Sequence, residues 1–189
     1  MQSKPLFDII TAMKTIKTEI MKDLIDCAMK RAECDLVIRN ARIFNVFTGE
    51  TEEGEIGVKD GVIVGIGKGY KAVQSYDVQG KVLLPGFIDS HIHVESTMLT
   101  PEEFARLVVP HGTSAIVADP HELVNVCGVE GAEYVSEAFS RIRMGEISPL
   151  DVYLQLLSCV PAAPSPPSGS RLGATATVEE LGKPDFFGL

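Results

Sequence analysis

The spacing of hydrophobic positions changes period twice along the chain. From Pro5 to about Ala32, residues Leu6, Ile9, Ile10, Met13, Ile16, Ile20, Leu24 and Cys27 recur at helical intervals, and Lys14, Lys17, Lys22 and Asp23 fall on the polar side. This predicts an amphipathic helix, or a pair of them, that packs on the fold and carries no chemistry. From Asp35 to Leu84 the runs shorten to β-branched stretches: DLVIRNARIFN, EIGVKDGVIVGIG and YDVQGKVLLPG. Asp60-Gly61 and Gln79-Gly80 interrupt them, and Asp-Gly between two apolar runs signals a hairpin. Gly65, Gly67 and Gly69 have the spacing of a phosphate-cradling loop, but no helical pattern follows, as a dinucleotide site requires. They read as turn residues.

From Pro85 onward strands and helices alternate, the signature of parallel βα units. GFIDSHIHV is the first strand. Thr100 then caps a helix that runs to about Pro110, with Pro101 at its first position and Glu103 closing a capping box. Thr113 to Pro120 is a second, nearly all-apolar strand. A helix spans Gly131 to Met144, with Tyr134, Val135, Ala138, Phe139 and Ile142 on one face, and Asp151 to Val160 is a third strand. After the PAAPSPPSGS loop come a short helix near Val178 to Leu181 and the start of a fourth strand at Asp185 to Leu189. The expected organisation is a helical segment over 1–34, a small β domain over 35–84 and a parallel α/β region over 85–189.

Composition narrows this picture only slightly. The 189 residues are 45% hydrophobic and 23% charged, ordinary for a globular protein. A formal charge of −9 with no basic stripe argues against nucleic acid as a partner. Asp8, Lys14, Lys17 and Glu19 interrupt the N-terminal apolar positions, which argues against a membrane span or a secretory signal, so a cytoplasmic location is expected. Cys27, Cys34, Cys127 and Cys159 lack CxxC spacing and are expected to be reduced, buried thiols rather than nucleophiles.

The chemistry concentrates near the first strand. Side chains alternate faces in a strand, so His91 and His93 point the same way, two imidazoles poised to share one metal ion. Asp89 and Glu95 continue that parity if the strand extends so far. Active sites of βα folds lie at the C-terminal ends of the strands, where His91 and His93 fall. His121, in the ADPHE loop past the second strand, belongs to the same rim and is assigned a site role. Its neighbour Glu122 is a candidate acid/base or substrate contact, or a solvated charge. His111, in PHGTS, is either a site residue or a cation at a helix C-terminus.

The stretches LVIRNARIFNVFTGE, IGVKDGVIVGIG, LLPGFIDSHIHVES, FARLVVPHGTSAIVADPHELVNVCG and DVYLQLLSCVPAAP together resemble the N-terminal part of the adenine deaminase family, within the amidohydrolase superfamily. HxH alone identifies the superfamily; HIHVES with ADPHE and SCVPA narrows it. The resemblance implies the first three to four βα units of a metal-dependent (β/α)8 barrel, preceded by part of a composite β-sandwich. It implies hydrolysis of adenine, in purine salvage, to hypoxanthine and ammonia at a two-metal centre of manganese, iron or zinc. By motif position His91 and His93 match metal ligands, while Glu95, His121 and Glu122 match catalytic positions near the substrate.

The family's further ligands, a bridging carboxylate, two histidines and an aspartate on later strands, have no counterpart in this sequence. The chain alone is therefore expected to be inactive, and a complementing C-terminal chain or a homo-oligomer is the partner it would need. Competing expectations are another cyclic-amide amidohydrolase, which would lack the ADPHE loop, and a non-catalytic remnant. A cytidine-deaminase type of zinc enzyme is excluded, because His93-Val94-Glu95 has no PCxxC to accompany it.

Overall fold

The computed structural model describes residues 18–143, 148–155 and 186–188. Its contacts divide the chain into two compact units, Met1–Leu84 and Pro85–Leu189.

In the first unit helix α1 (Thr18–Ala28) buries Leu24 and Cys27; the predicted helical positions before Thr18 lie outside the described residues. Strands β1 (Cys34–Phe44), β2 (Thr51–Lys59), β3 (Val62–Gly67), β4 (Ala72–Asp77) and β5 (Val82–Leu83) form one mixed sheet in the order β3-β2-β1-β4, with β5 also on β1. A second sheet layer does not occur among the described residues of this unit. The Asp60-Gly61 break is the hairpin between β2 and β3, with φ of 51° and 74° at its two residues. Positive φ at both centres matches the twist of the flanking strands.

Gln79 and Gly80 also have positive φ, yet they join two strands that both run parallel to β1. The chain steps around a bulge in β1 between Ile38 and Ala41, where the Gly80 N–H donates to the Asn40 carbonyl at 2.7 Å.

Two expectations fail in this unit. Gly65 and Gly67 are strand residues of β3, and only Gly69, at φ 82°, is a turn glycine. Gly65 is small for a packing reason: a Cβ there would lie 2.3 Å from Tyr70 Oη, and one on Gly57 3.1 Å from the same ring. The two glycines let a buried tyrosine lie against the sheet. Cys27 and Cys34 were expected as free thiols, but they are joined in a disulfide. The chain reverses after α1, through Lys30 at φ 61°, and brings the helix end back onto the start of β1 with the two Cα atoms 5.5 Å apart. A seven-residue separation does not announce that reversal.

The second unit is parallel α/β. Strands β6 (Phe87–Ile92), β7 (Thr113–Ala118), β8 (Asp151–Gln155) and β9 (Phe186–Gly188) form a parallel sheet in chain order. Helix α2 (Pro101–Val108) starts as predicted, with Thr100 Oγ1 accepting from the Glu103 N–H. The Glu103 carboxylate pairs with Arg106 instead of closing the box. A 3-10 turn, Val109–His111, follows, and Gly112 at φ 99° ends it. Helix α4 (Val129–Arg143) begins two residues before the expected Gly131. The segment read as a loop after β7 is instead a short helix, α3 (His121–Cys127). Its Cys127 is exposed and unbridged, which corrects its expected burial, while Cys159 lies outside the described residues.

Ile116 and Ala118 of β7 and Val152 and Leu154 of β8 share one strand parity, and all pack with Phe104, Ala105, Val124, Ala132, Val135, Phe139 and Ile142 of the helices. The helices therefore cover one face of the sheet. Ile92 of β6 also packs on this cluster, so His91 and His93, on either side of it in the chain, belong to the other face. No described helix is long and apolar enough to cross a membrane.

Candidate metal centre

The site is built where β6 and β7 end. β6 stops at Ile92, and the chain turns at His93 into a 3-10 segment, Val94–Thr97, that carries Glu95 and Ser96. β7 stops at Ala118, and Asp119 and Pro120 lead directly into α3, which opens on His121 and Glu122. The Asp119 N–H donates to the Ile92 carbonyl at 2.9 Å, which ties the two strand ends together.

Across that junction the His93 Nδ1 lies 2.7 Å from the Asp119 carbonyl oxygen. A carbonyl only accepts, so Nδ1 carries the proton there and Nε2 keeps its lone pair, open to a cation. The His91 and His93 rings stand edge to face with centroids 4.9 Å apart, and His121 lies 6.1 Å from His93. His91, His93 and Asp119 each offer a ligand atom, all within 4.8 Å of one another. Glu95 and Glu122 form a second such group with His93.

Every residue singled out near the strand ends, His91, His93, Glu95, His121 and Glu122, thus gathers around His93. Asp89 uses Oδ1 to accept from the His91 N–H at 3.1 Å. His111 does not join them: it ends the 3-10 turn that precedes β7, at the other end of that strand, and is exposed.

Sequence reasoning missed Asp119 as a site side chain. Asp119 was included at the end of the second strand and given no role, although the parity of β7, with Ile116 and Ala118 in the helical core, points the next residue the other way. The Oδ1 of Asp119 is buried and has no hydrogen-bond partner, while Oδ2 lies 3.7 Å from His121 Nδ1. A buried carboxyl oxygen without a donor is costly, and a cation shared with His91 and His93 would satisfy it. The donor set, two imidazoles and a carboxylate, suits a divalent metal such as zinc.

The carboxylates take different environments. Burial pushes the Glu95 carboxyl above its ordinary pKa, helped by neighbouring Glu122. Glu122 is exposed; its Oε1 accepts from Ser96 Oγ at 2.6 Å, and this hydrogen bond is the largest cause holding its pKa below the usual range. Burial works against a charged His93, but the Asp119 carbonyl and the charges of Asp119, Glu122 and Glu95 outweigh it and raise its pKa.

Comparison with known proteins gives this geometry a context. The chain is 44% identical over 171 residues to adenine deaminase 2 of Desulfotalea psychrophila, covering 90% of this chain and 28% of that one. It is 46% identical over 157 residues to adenine deaminase of Geobacillus kaustophilus, covering 83% of this chain and 25% of the relative. It therefore spans little more than a quarter of the length of the curated relatives it matches. Among solved structures it resembles the N-acyl-D-glutamate deacylase of Bordetella bronchiseptica, determined with zinc and a phosphonate inhibitor. The TM-score is 0.51 at 20% identity, over 68% of this chain and 30% of that one. That likeness is one of fold. Residues 82–184, more than half of the chain, match the amidohydrolase family, and the chain belongs to that family.

Proposed function

We propose that the chain is the first part of a metal-dependent adenine deaminase built on a (β/α)8 barrel, to which it contributes His91, His93 and Asp119 as ligands of a two-metal centre of manganese, iron or zinc. The observation behind this reading is the 44% identity to an adenine deaminase over 171 residues, a length that must include the whole stretch from His91 to Glu122. When bound there, a divalent metal supplies a Lewis acid that activates water at neutral pH. The net reaction replaces the C6 amino group of adenine with oxygen from water, giving hypoxanthine and ammonia.

The chain's own residues orient and move protons. The Asp119 carbonyl fixes His93 with Nε2 free. Glu122, ionised and 3.9 Å from His93 Nδ1, is the group placed to accept a proton and return it to the departing ammonia. His121, at the first position of α3, is assigned to contact the purine. The remainder of the barrel and of the ligand set belongs to the greater length found in the relatives. Residues 1–189 by themselves are expected to hold metal through His91, His93 and Asp119 without turning over adenine.

A graft tests the reading. The chain replaces the corresponding quarter of the Geobacillus relative, and conversion of adenine to hypoxanthine is followed by absorbance. Turnover that disappears in His93→Ala is expected. A folded, metal-loaded graft that hydrolyses a cyclic amide and not adenine would overturn it.

A further inference from the structure

The structure assigns Glu95 to a positioning role: we propose that it clamps the start of α3 to the turn after β6, and so holds Asp119, His121 and Glu122 in register with His93. This inference rests on the reading of His93 as a metal ligand, and it changes what the HIHVES carboxylate does.

The contacts carry it. Glu95 Oε1 accepts from two backbone N–H groups, those of Glu122 at 2.9 Å and Leu123 at 3.3 Å. The first N–H groups of a helix have no partner within the helix. Within α3 itself the cap residue Pro120 supplies no side-chain hydrogen bond. Glu95 takes the place of that missing cap from 27 residues away. Ser96, the next residue, hydrogen-bonds the Glu122 side chain at 2.6 Å. Two consecutive side chains of the turn thus grip one residue of α3, Glu95 by its main chain and Ser96 by its carboxylate.

What the clamp holds is the contact that sets the His93 ring. The Asp119 carbonyl accepts from His93 Nδ1 at 2.7 Å and from the His121 N–H at 2.9 Å, so it sits on the short span between β7 and the gripped residue. If α3 drifts, that carbonyl drifts with it, and the imidazole loses the partner that selects its tautomer. Outer contacts of this kind commonly alter metal affinity 10–100-fold when removed. With Oε1 engaged by two amides, Glu95 is assigned to act through the residues it positions.

The role is one of reach and acceptor geometry, not of charge, and this separates it from a ligand or proton-transfer role. A glutamine keeps the side-chain length and an acceptor oxygen. An aspartate keeps the charge and is one methylene short. The test uses the full chain carrying Glu95→Gln or Glu95→Asp, with two readouts. One is the His93 tautomer in metal-free protein, read from long-range nitrogen–proton correlations of the imidazole. The other is the affinity for Zn²⁺ alone by calorimetry.

Glu95→Gln is expected to keep the Nδ1–H tautomer and an affinity within about threefold of the native chain. Glu95→Asp is expected to give mixed tautomers and at least about tenfold weaker binding. The reverse order, or equal effects of the two variants on the tautomer, would overturn the clamp. If the native chain binds no Zn²⁺, the metal reading fails, and the tautomer comparison still decides the clamp.

Discussion

Asp119→Ala separates the metal from the fold. Its main-chain bonds, to Ile92, His93 and His121, do not involve the side chain and survive the truncation. What is lost is a buried Oδ1 with no partner and an Oδ2 that lies 3.7 Å from His121. An unsatisfied buried polar group costs about 1–3 kcal/mol, and the weak pair with His121 returns about 0–1 kcal/mol. The metal-free variant should therefore be more stable than the native chain by about 1 kcal/mol, worth roughly 4–8 °C in a unit near 100 residues. With metal the order reverses. At a concentration of one hundred times its Kd a ligand stabilises by about 2.7 kcal/mol, and at a hundredfold weaker affinity the same concentration gives only about 0.4 kcal/mol. Melting curves with chelator and with Zn²⁺ measure both effects. A metal-free Asp119→Ala that melts below the native chain, or that keeps the full Zn²⁺ gain, would refute the assignment of this side chain to the cation.

Two further outcomes test the first unit and do not depend on the site. Gly65→Ala should destabilise by about 1–3 kcal/mol, because its Cβ would fall 2.3 Å from the hydroxyl of buried Tyr70; adding Tyr70→Phe, which leaves the nearest ring carbon at 3.4 Å, should recover part of that in a denaturant titration. Asp35 is held below its ordinary pKa, first by the hydrogen bond from Lys59 Nζ at 2.7 Å and then by the Asp60 N–H. A carboxyl with a depressed folded pKa stabilises above its unfolded value of about 3.9 and loses that contribution as pH falls through the folded value. Carbon-detected titration should thus place the Asp35 midpoint below the usual carboxylate range in the native chain and higher in Lys59→Met, and an unchanged midpoint would remove the pair from the account.

How much of this was legible in the sequence follows from the range of each interaction. The parallel α/β order after Pro85, the Thr100 cap and the Asp60-Gly61 hairpin are local, written in side-chain period and turn chemistry, and each is read from a few neighbouring residues. The Cys27–Cys34 bond, the packing of Tyr70 on Gly57 and Gly65, and the parallel placement of β4 and β5 on β1 depend on where the chain returns in space. Period carries no information about that return. Helix α3 was missed for another reason: at seven residues, following Asp119-Pro120, it is too short for a helical period to stand out from a loop.

The site shows the same division at the scale of one motif. Parity placed His91 and His93 on one face because both lie at or beside a strand, and it extended that inference to Glu95. The strand ends at Ile92, and the 3-10 turn that follows no longer alternates, so Glu95 swings onto α3 and binds amides 27 and 28 residues ahead. The group that orients His93 is a main-chain carbonyl, which leaves no mark in the identity of residue 119; the side chain of that residue faces the histidines for a separate reason, the parity of β7. HxH therefore specifies two nitrogens, while their tautomer and spacing are set by how two strand ends are tied together. The candidate site is a property of that junction, and the same two histidines on a strand whose neighbour ended one residue earlier would lack both the carbonyl and the carboxylate of residue 119.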